Sequence, residues 1–121
     1  MPHLTIDCSE RLADALDRVA LLKELHPLVL GGSGSTGVCK TFFRRAETYV
    51  GEGTMGEAEF LHVEVGLMPG RSEALKTRLS ESILRLLAAH LPPDGVVCSV
   101  EVRELAGSYR LFPTARSPLD G

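Results

Sequence analysis

The chain has 121 residues, 44% of them hydrophobic, and a formal net charge of −3. That length fits a single domain over residues 1–121, and the apolar content suffices to bury a core, which excludes a disordered chain. Slight acidity and scattered basic residues argue against a nucleic-acid binder and give no support for membrane-surface binding.

The opening run is Met1-Pro2-His3-Leu4-Thr5-Ile6-Asp7-Cys8. Leu4, Ile6 and Cys8 alternate with His3, Thr5 and Asp7, which predicts a half-buried strand. Asp7, Glu10 and Arg11 are incompatible with a signal peptide. The most apolar stretch, residues 25–30, contains His26 and Pro27 and is too short to cross a bilayer. The expected location is therefore cytoplasmic.

Leu12, Leu16, Val19, Leu22 and Leu25 recur at spacings of three and four, which predicts a helix over residues 12–25. Ser9, Asp14 and Asp17 are each suited to cap it. Pro27 is expected to kink or end this helix. Residues 31–37, Gly-Gly-Ser-Gly-Ser-Thr-Gly, then read as a flexible loop. The loop lacks the Lys-Ser/Thr ending of a phosphate-binding P-loop.

Residues 38–50 read as a strand region of mixed polarity with Phe42, Phe43 and Tyr49, followed by a turn at Gly51, Gly53 and Gly56. Residues 59–67 form the clearest strand. Leu61, Val63, Val65 and Leu67 share one face; Phe60, His62 and Glu64 share the other. A second helix begins near Ser72, a good cap, with Glu73 favourable in its first turn. Leu75, Leu79, Ile83, Leu86 and Leu87 give it an apolar stripe, and Pro92-Pro93 stop it. A last strand covers residues 96–105, with Cys98, Val100 and Val102 on its buried face. The tail beyond Gly107 contains Pro113 and Pro118.

The order is strand, helix, strand, repeated once: an α/β (α+β) chain built from duplicated βαβ units. Right-handed crossovers would put both helices on one face of a four-stranded sheet. The opposite face would carry His3, Thr5, His62, Glu64, Ser99 and Glu101. It would be either solvated or covered by another subunit. Pattern alone permits two folds, a ferredoxin-like plait and the tautomerase fold.

Pro2 stands out chemically. Initiator methionine is generally removed before a residue as small as proline, which would leave a free secondary amine at the start of a strand. A backbone α-amine titrates at about 8. Burial or nearby cations would lower that value and make it a general base at neutral pH. Cys8, Cys39 and Cys98 are widely spaced and suit neither a disulfide framework nor a zinc site. His3, His26, His62 and His90 show no metal-ligand spacing. His62 reads as subunit packing, and Glu64 with Glu101 as an interface or solvated pair.

Several segments together resemble the 5-carboxymethyl-2-hydroxymuconate delta-isomerases. They are the opening residues through Ser9, the Phe60-Leu61-His62-Val63 run, the Gly70-Arg71-Ser72 turn before an amphipathic helix, and Ser99-Val100-Glu101-Val102-Arg103-Glu104-Leu105. The resemblance spans about residues 2–107 and favours the tautomerase fold. It implies a homotrimeric enzyme of the tautomerase superfamily, an isomerase without metal or organic cofactor. Such enzymes convert a 2-hydroxymuconate-type dienol to its 2-oxo isomer in bacterial breakdown of aromatic compounds. It also implies that Pro2 is the catalytic base and that cations hold the substrate carboxylates.

Arg71 matches one such position, beside a helix start that attracts anions. Lys40 and Phe42 fall at two positions that are usually arginine. Lys40 keeps the charge but not the bidentate fork, and Phe42 loses the charge. Arg44 or Arg45 would substitute under a shifted alignment. The alternatives are a tautomerase acting on a smaller or more apolar keto–enol substrate, and a non-catalytic ferredoxin-like binding module.

Overall fold

The computed structural model describes residues 2–49 and 58–110. Met1, Val50, the glycine turn at 51–56 and the tail with Pro113 and Pro118 lie outside the described residues. The elements in chain order are β1 (His3–Ser9), α1 (Glu10–Ala15), α2 (Arg18–Ser33), β2 (Lys40–Ala46), β3 (Glu59–Leu67), α3 (Glu73–His90) and β4 (Val96–Glu104).

The four strands form one sheet in the order β2-β1-β3-β4. β1 pairs parallel with β2, β3 pairs parallel with β4, and β1 meets β3 antiparallel at the centre. Each βαβ unit thus keeps its two strands as hydrogen-bonded neighbours. A split plait would separate them by an inserted strand, so the ferredoxin-like alternative is excluded.

One face of the sheet is apolar. Leu4, Ile6, Leu61, Val63 and Val65 are fully buried, and Leu21, Leu25 and Val29 of α2 join Leu79, Ile83 and Leu87 of α3 in the same core. Removing each such leucine or isoleucine from water contributes about 1.5–3 kcal/mol. Register places His3, Thr5, Asp7, His62, Glu64, Ser99 and Glu101 on the other face. No helix among the described residues is long and apolar enough to cross a membrane.

The first helical region departs from expectation in two ways. It divides at Leu16, and Asp17 starts a new helix by accepting a hydrogen bond from the Ala20 amide at 3.1 Å. Helix α2 then continues through Pro27 and through Gly31-Gly32 to Ser33, so the expected break and loop begin too early. Pro27 removes a single amide donor, while Leu25 and Val29 on either side hold the helix to the core. Gly32 lets α2 lie close to α3: a Cβ there would stand 2.8 Å from Leu79 Cδ1, so that side chain would have to shift. The true stop is Gly34, left-handed with φ 70°. The remaining elements start or end within a few residues of the predicted positions.

Candidate active site

Pro2 stands at the entry to β1, in the middle of the sheet, and its side chain is fully buried. A proline there removes no ladder donor that a neighbour needs. Its carbonyl accepts the Lys40 amide at 3.2 Å. The next residue, His3, lies opposite Lys40 on β2 and Gly66 on β3. The starts of β1 and β2 and the ends of β3 and β4 thus converge at one edge of the sheet.

The segment after β4 folds back over this edge. The Leu105 amide donates to the Leu67 carbonyl at 2.7 Å. The Leu105 side chain occupies the space above Gly66, where a Cβ would lie 2.6 Å from Leu105 Cδ2. Tyr109 then reaches His3: its hydroxyl is 2.8 Å from His3 Nε2, and the rings meet edge to face at 5.0 Å. Burial and the nearby Lys40 ammonium lower the His3 pKa from its ordinary 6.5, which favours neutral imidazole. Tyr109 is 106 positions from its partner, so no local sequence signal announces this pair.

Lys40 and Phe42 point to the same side of β2, as their spacing predicts. The Lys40 ammonium lies 5.5 Å from the centre of the Phe42 ring, which is 52% exposed. Arg44 shares that face. It grips both oxygens of its register partner Asp7, at 2.8 and 3.0 Å. Four residues along a strand is roughly 13 Å, so Arg44 stands well away from Lys40. Arg45 turns to α1 and binds Asp14 Oδ1 at 2.6 Å and the Glu10 carbonyl at 3.4 Å. Both arginines are therefore paired with carboxylates of the chain.

Arg71 precedes α3, whose start is capped by Ser72 accepting from the Leu75 amide at 3.1 Å. Its guanidinium donates from Nε to the Ser33 carbonyl at 3.0 Å, from Nη1 to the Met68 carbonyl at 3.3 Å and from Nη2 to Ser35 Oγ at 3.1 Å. These bonds fasten the end of α2 to the start of α3. A guanidinium has five N–H groups, so each terminal nitrogen retains one for an incoming carboxylate.

An open cleft of about 500 Å³ lies at the opposite end of β1, lined by Ser9, Glu10, Arg11, Glu47 and Glu59 among others. Its charge is predominantly acidic, which suits an anionic substrate poorly. Ser9 ties this end together, donating to Glu59 Oε1 at 2.8 Å and accepting the Phe60 amide at 3.0 Å.

The three cysteines are free thiols. Burial pushes Cys8 and Cys39 up to about 11 and raises Cys98 as well. None is a poised nucleophile. On the polar face, His62, Glu64 and Glu101 come together from two strands, a grouping that linear spacing does not reveal.

A family model described as 5-carboxymethyl-2-hydroxymuconate isomerase matches residues 2–111. No curated protein matches the chain. Among solved structures, a 5-carboxymethyl-2-hydroxymuconate isomerase from Deinococcus radiodurans R1 superposes with TM-score 0.76 at 22% identity, covering 91% of this chain and 88% of that one. A 5-carboxymethyl-2-hydroxymuconate delta-isomerase gives 0.78 at 24%, with coverages of 93% and 87%. A macrophage migration inhibitory factor-like protein from Entamoeba histolytica gives 0.62 at 16%, with coverages of 92% and 94%. These likenesses establish the tautomerase fold. With the family match over nearly the whole length, the chain belongs to the 5-carboxymethyl-2-hydroxymuconate isomerase family of the tautomerase superfamily.

Proposed function

We propose that the protein is a cofactor-independent keto–enol isomerase in which the free amine of Pro2 moves a proton within a 2-hydroxymuconate-type dienol. The observation that carries this reading is the burial of Pro2 at the head of the central strand, beside Lys40. With Met1 removed, the amine would lie in this desolvated setting, which disfavours its protonated form. The amine takes the proton of the 2-hydroxyl group. As the C2–O bond becomes a carbonyl, the electron pair shifts along the conjugated chain. The resulting pyrrolidinium returns the proton to a carbon of that chain. The product is the 2-oxo isomer, with no net gain or loss of atoms.

Lys40 and the two remaining N–H groups of Arg71 supply positive charge for substrate carboxylate. Phe42 favours a substrate with a single carboxylate or a more apolar end. Its exposed ring supports this second reading, since an anion gains nothing from an aromatic face. A homotrimer is part of the proposal. It is supported by likeness to fused 4-OT wild-type symmetric trimers, one of which superposes with TM-score 0.68 at 20% identity, coverage 98% of both chains.

The test is ketonisation followed by ultraviolet absorbance for 5-carboxymethyl-2-hydroxymuconate and for a monocarboxylate 2-hydroxydienoate. Acceleration of either supports the isomerase, and their ratio of kcat/KM reports the role of Phe42. Failure to accelerate any 2-hydroxydienoate, in protein whose mass shows Met1 absent, rejects the reading.

A further inference from the structure

The sheet face turned away from the helices holds a convergence of side chains that the proton transfer at Pro2 does not use. His62, Glu64 and Glu101 each bring one ligand-capable atom within 4.8 Å of the others. The sheet explains why. His62 and Glu64 are two apart on β3 and so share a face. Glu101 is the register partner of Glu64 on β4. Like charges directly opposite on neighbouring strands repel each other, so this pair calls for a cation.

Arg103 answers part of that demand, donating to Glu64 Oε1 at 2.8 Å. The second oxygen of Glu64 remains, and Glu101 has no ion pair among the described residues. His62 Nδ1 stands 2.7 Å from Ser99 Oγ. With the proton on Nδ1 donated to that hydroxyl, Nε2 carries the free lone pair. A metal-binding imidazole is commonly held this way, its other nitrogen fixed by an outer partner.

We propose that His62, Glu64 and Glu101 form a divalent-cation site of zinc type that joins β3 to β4. One imidazole nitrogen and two carboxylate oxygens suit Zn²⁺ or Co²⁺ better than Mg²⁺ or Ca²⁺, which prefer oxygen alone. The two carboxylates and the Arg103 guanidinium sum to −1, so a dication is balanced to within one charge. Three protein ligands leave a fourth position for water. All three ligands belong to one chain, and the proposed reaction at Pro2 uses none of them.

The experiment uses tag-free full-length protein stripped with a chelator. It is titrated with Zn²⁺ by calorimetry and with Co²⁺ by visible absorption. The expected result is one ion per chain with a dissociation constant of ~10 μM or tighter, and a thermal transition that rises with added Zn²⁺. Glu101→Gln and His62→Gln should each weaken binding at least ~10-fold. His90→Gln, away from the site, should leave it unchanged. Glu101 is exposed, so its variant retains the fold, which circular dichroism checks. Absence of saturable binding below millimolar Zn²⁺, or equal affinity in wild type, Glu101→Gln and His62→Gln, overturns the proposal.

Discussion

The Pro2 carbonyl accepts the Lys40 amide at 3.2 Å. This one backbone bond anchors the residue before β1 to the start of the edge strand. It also fixes where the Lys40 side chain leaves that strand. A side-chain substitution at Lys40 leaves the backbone bond intact and removes only the charge. Lys40→Met should therefore raise KM for a carboxylate substrate by ~10-fold, a magnitude typical of a charge-assisted contact, with a smaller change in kcat. Steady-state kinetics on wild type and variant check this; an unchanged KM removes Lys40 from substrate binding.

Position 42 can be given the arginine that the family resemblance leads one to expect there. Phe42→Arg places a guanidinium beside Lys40 on the same strand face. Its kcat/KM ratio for dicarboxylate over monocarboxylate substrate should rise by ~10-fold. A ratio equal to that of wild type would show that position 42 does not contact the second carboxylate.

Arg71 has two separable duties. Its bonds to Ser33, Ser35 and Met68 predict a stability loss of about 1–3 kcal/mol in Arg71→Ala. The proposed carboxylate contact predicts a separate rise in KM, measurable at a temperature where the variant is folded. Chemical denaturation reads the first effect and initial rates read the second. A variant that loses stability but keeps its KM restricts Arg71 to fastening α2 to α3.

His3 gives the chain a pH signature. Its folded pKa lies below the ordinary 6.5 because of burial and Lys40, so below pH 6.5 the unfolded chain binds more protons at this site. The stability His3 contributes is complete above 6.5. It is lost as pH falls from there through the lowered folded value. The slope of unfolding free energy against pH in that window should flatten in His3→Gln. An identical slope in wild type and variant would show that His3 titrates normally.

The thiols should be quiet. With Cys8 and Cys39 pushed up to about 11, the thiolate fraction at pH 7.5 is very small. A thiol-reactive dye should label the native protein slowly and the denatured protein quickly. Rapid native labelling of either residue would contradict the burial described for it.

What the sequence reveals follows the range of the forces involved. β3 is legible because Leu61, Val63 and Val65 alternate with His62 and Glu64, and its bounds, Glu59–Leu67, agree with the reading. Helix α3 is legible because Ser72 caps it and prolines end it. Helix α2 is misread because Pro27 and Gly32 are local breakers whose effect is outweighed by distant packing, Gly32 against Leu79 of α3. The same limit applies to the candidate site. Pro2, Lys40 and Arg71 stand out as residue types in a recognisable order. The His3–Tyr109 bond, the engagement of Arg44 by Asp7 and the meeting of His62 with Glu101 depend on strand register and chain return, which no short window contains.

In the proposed mechanism the Pro2 nitrogen is the base. Its most direct test is kcat/KM for ketonisation by Pro2→Ala beside wild type, with intact mass showing Met1 absent from both. The mechanism predicts a fall of at least ~100-fold, the usual contribution of a positioned general base. Undiminished turnover in the variant would contradict it.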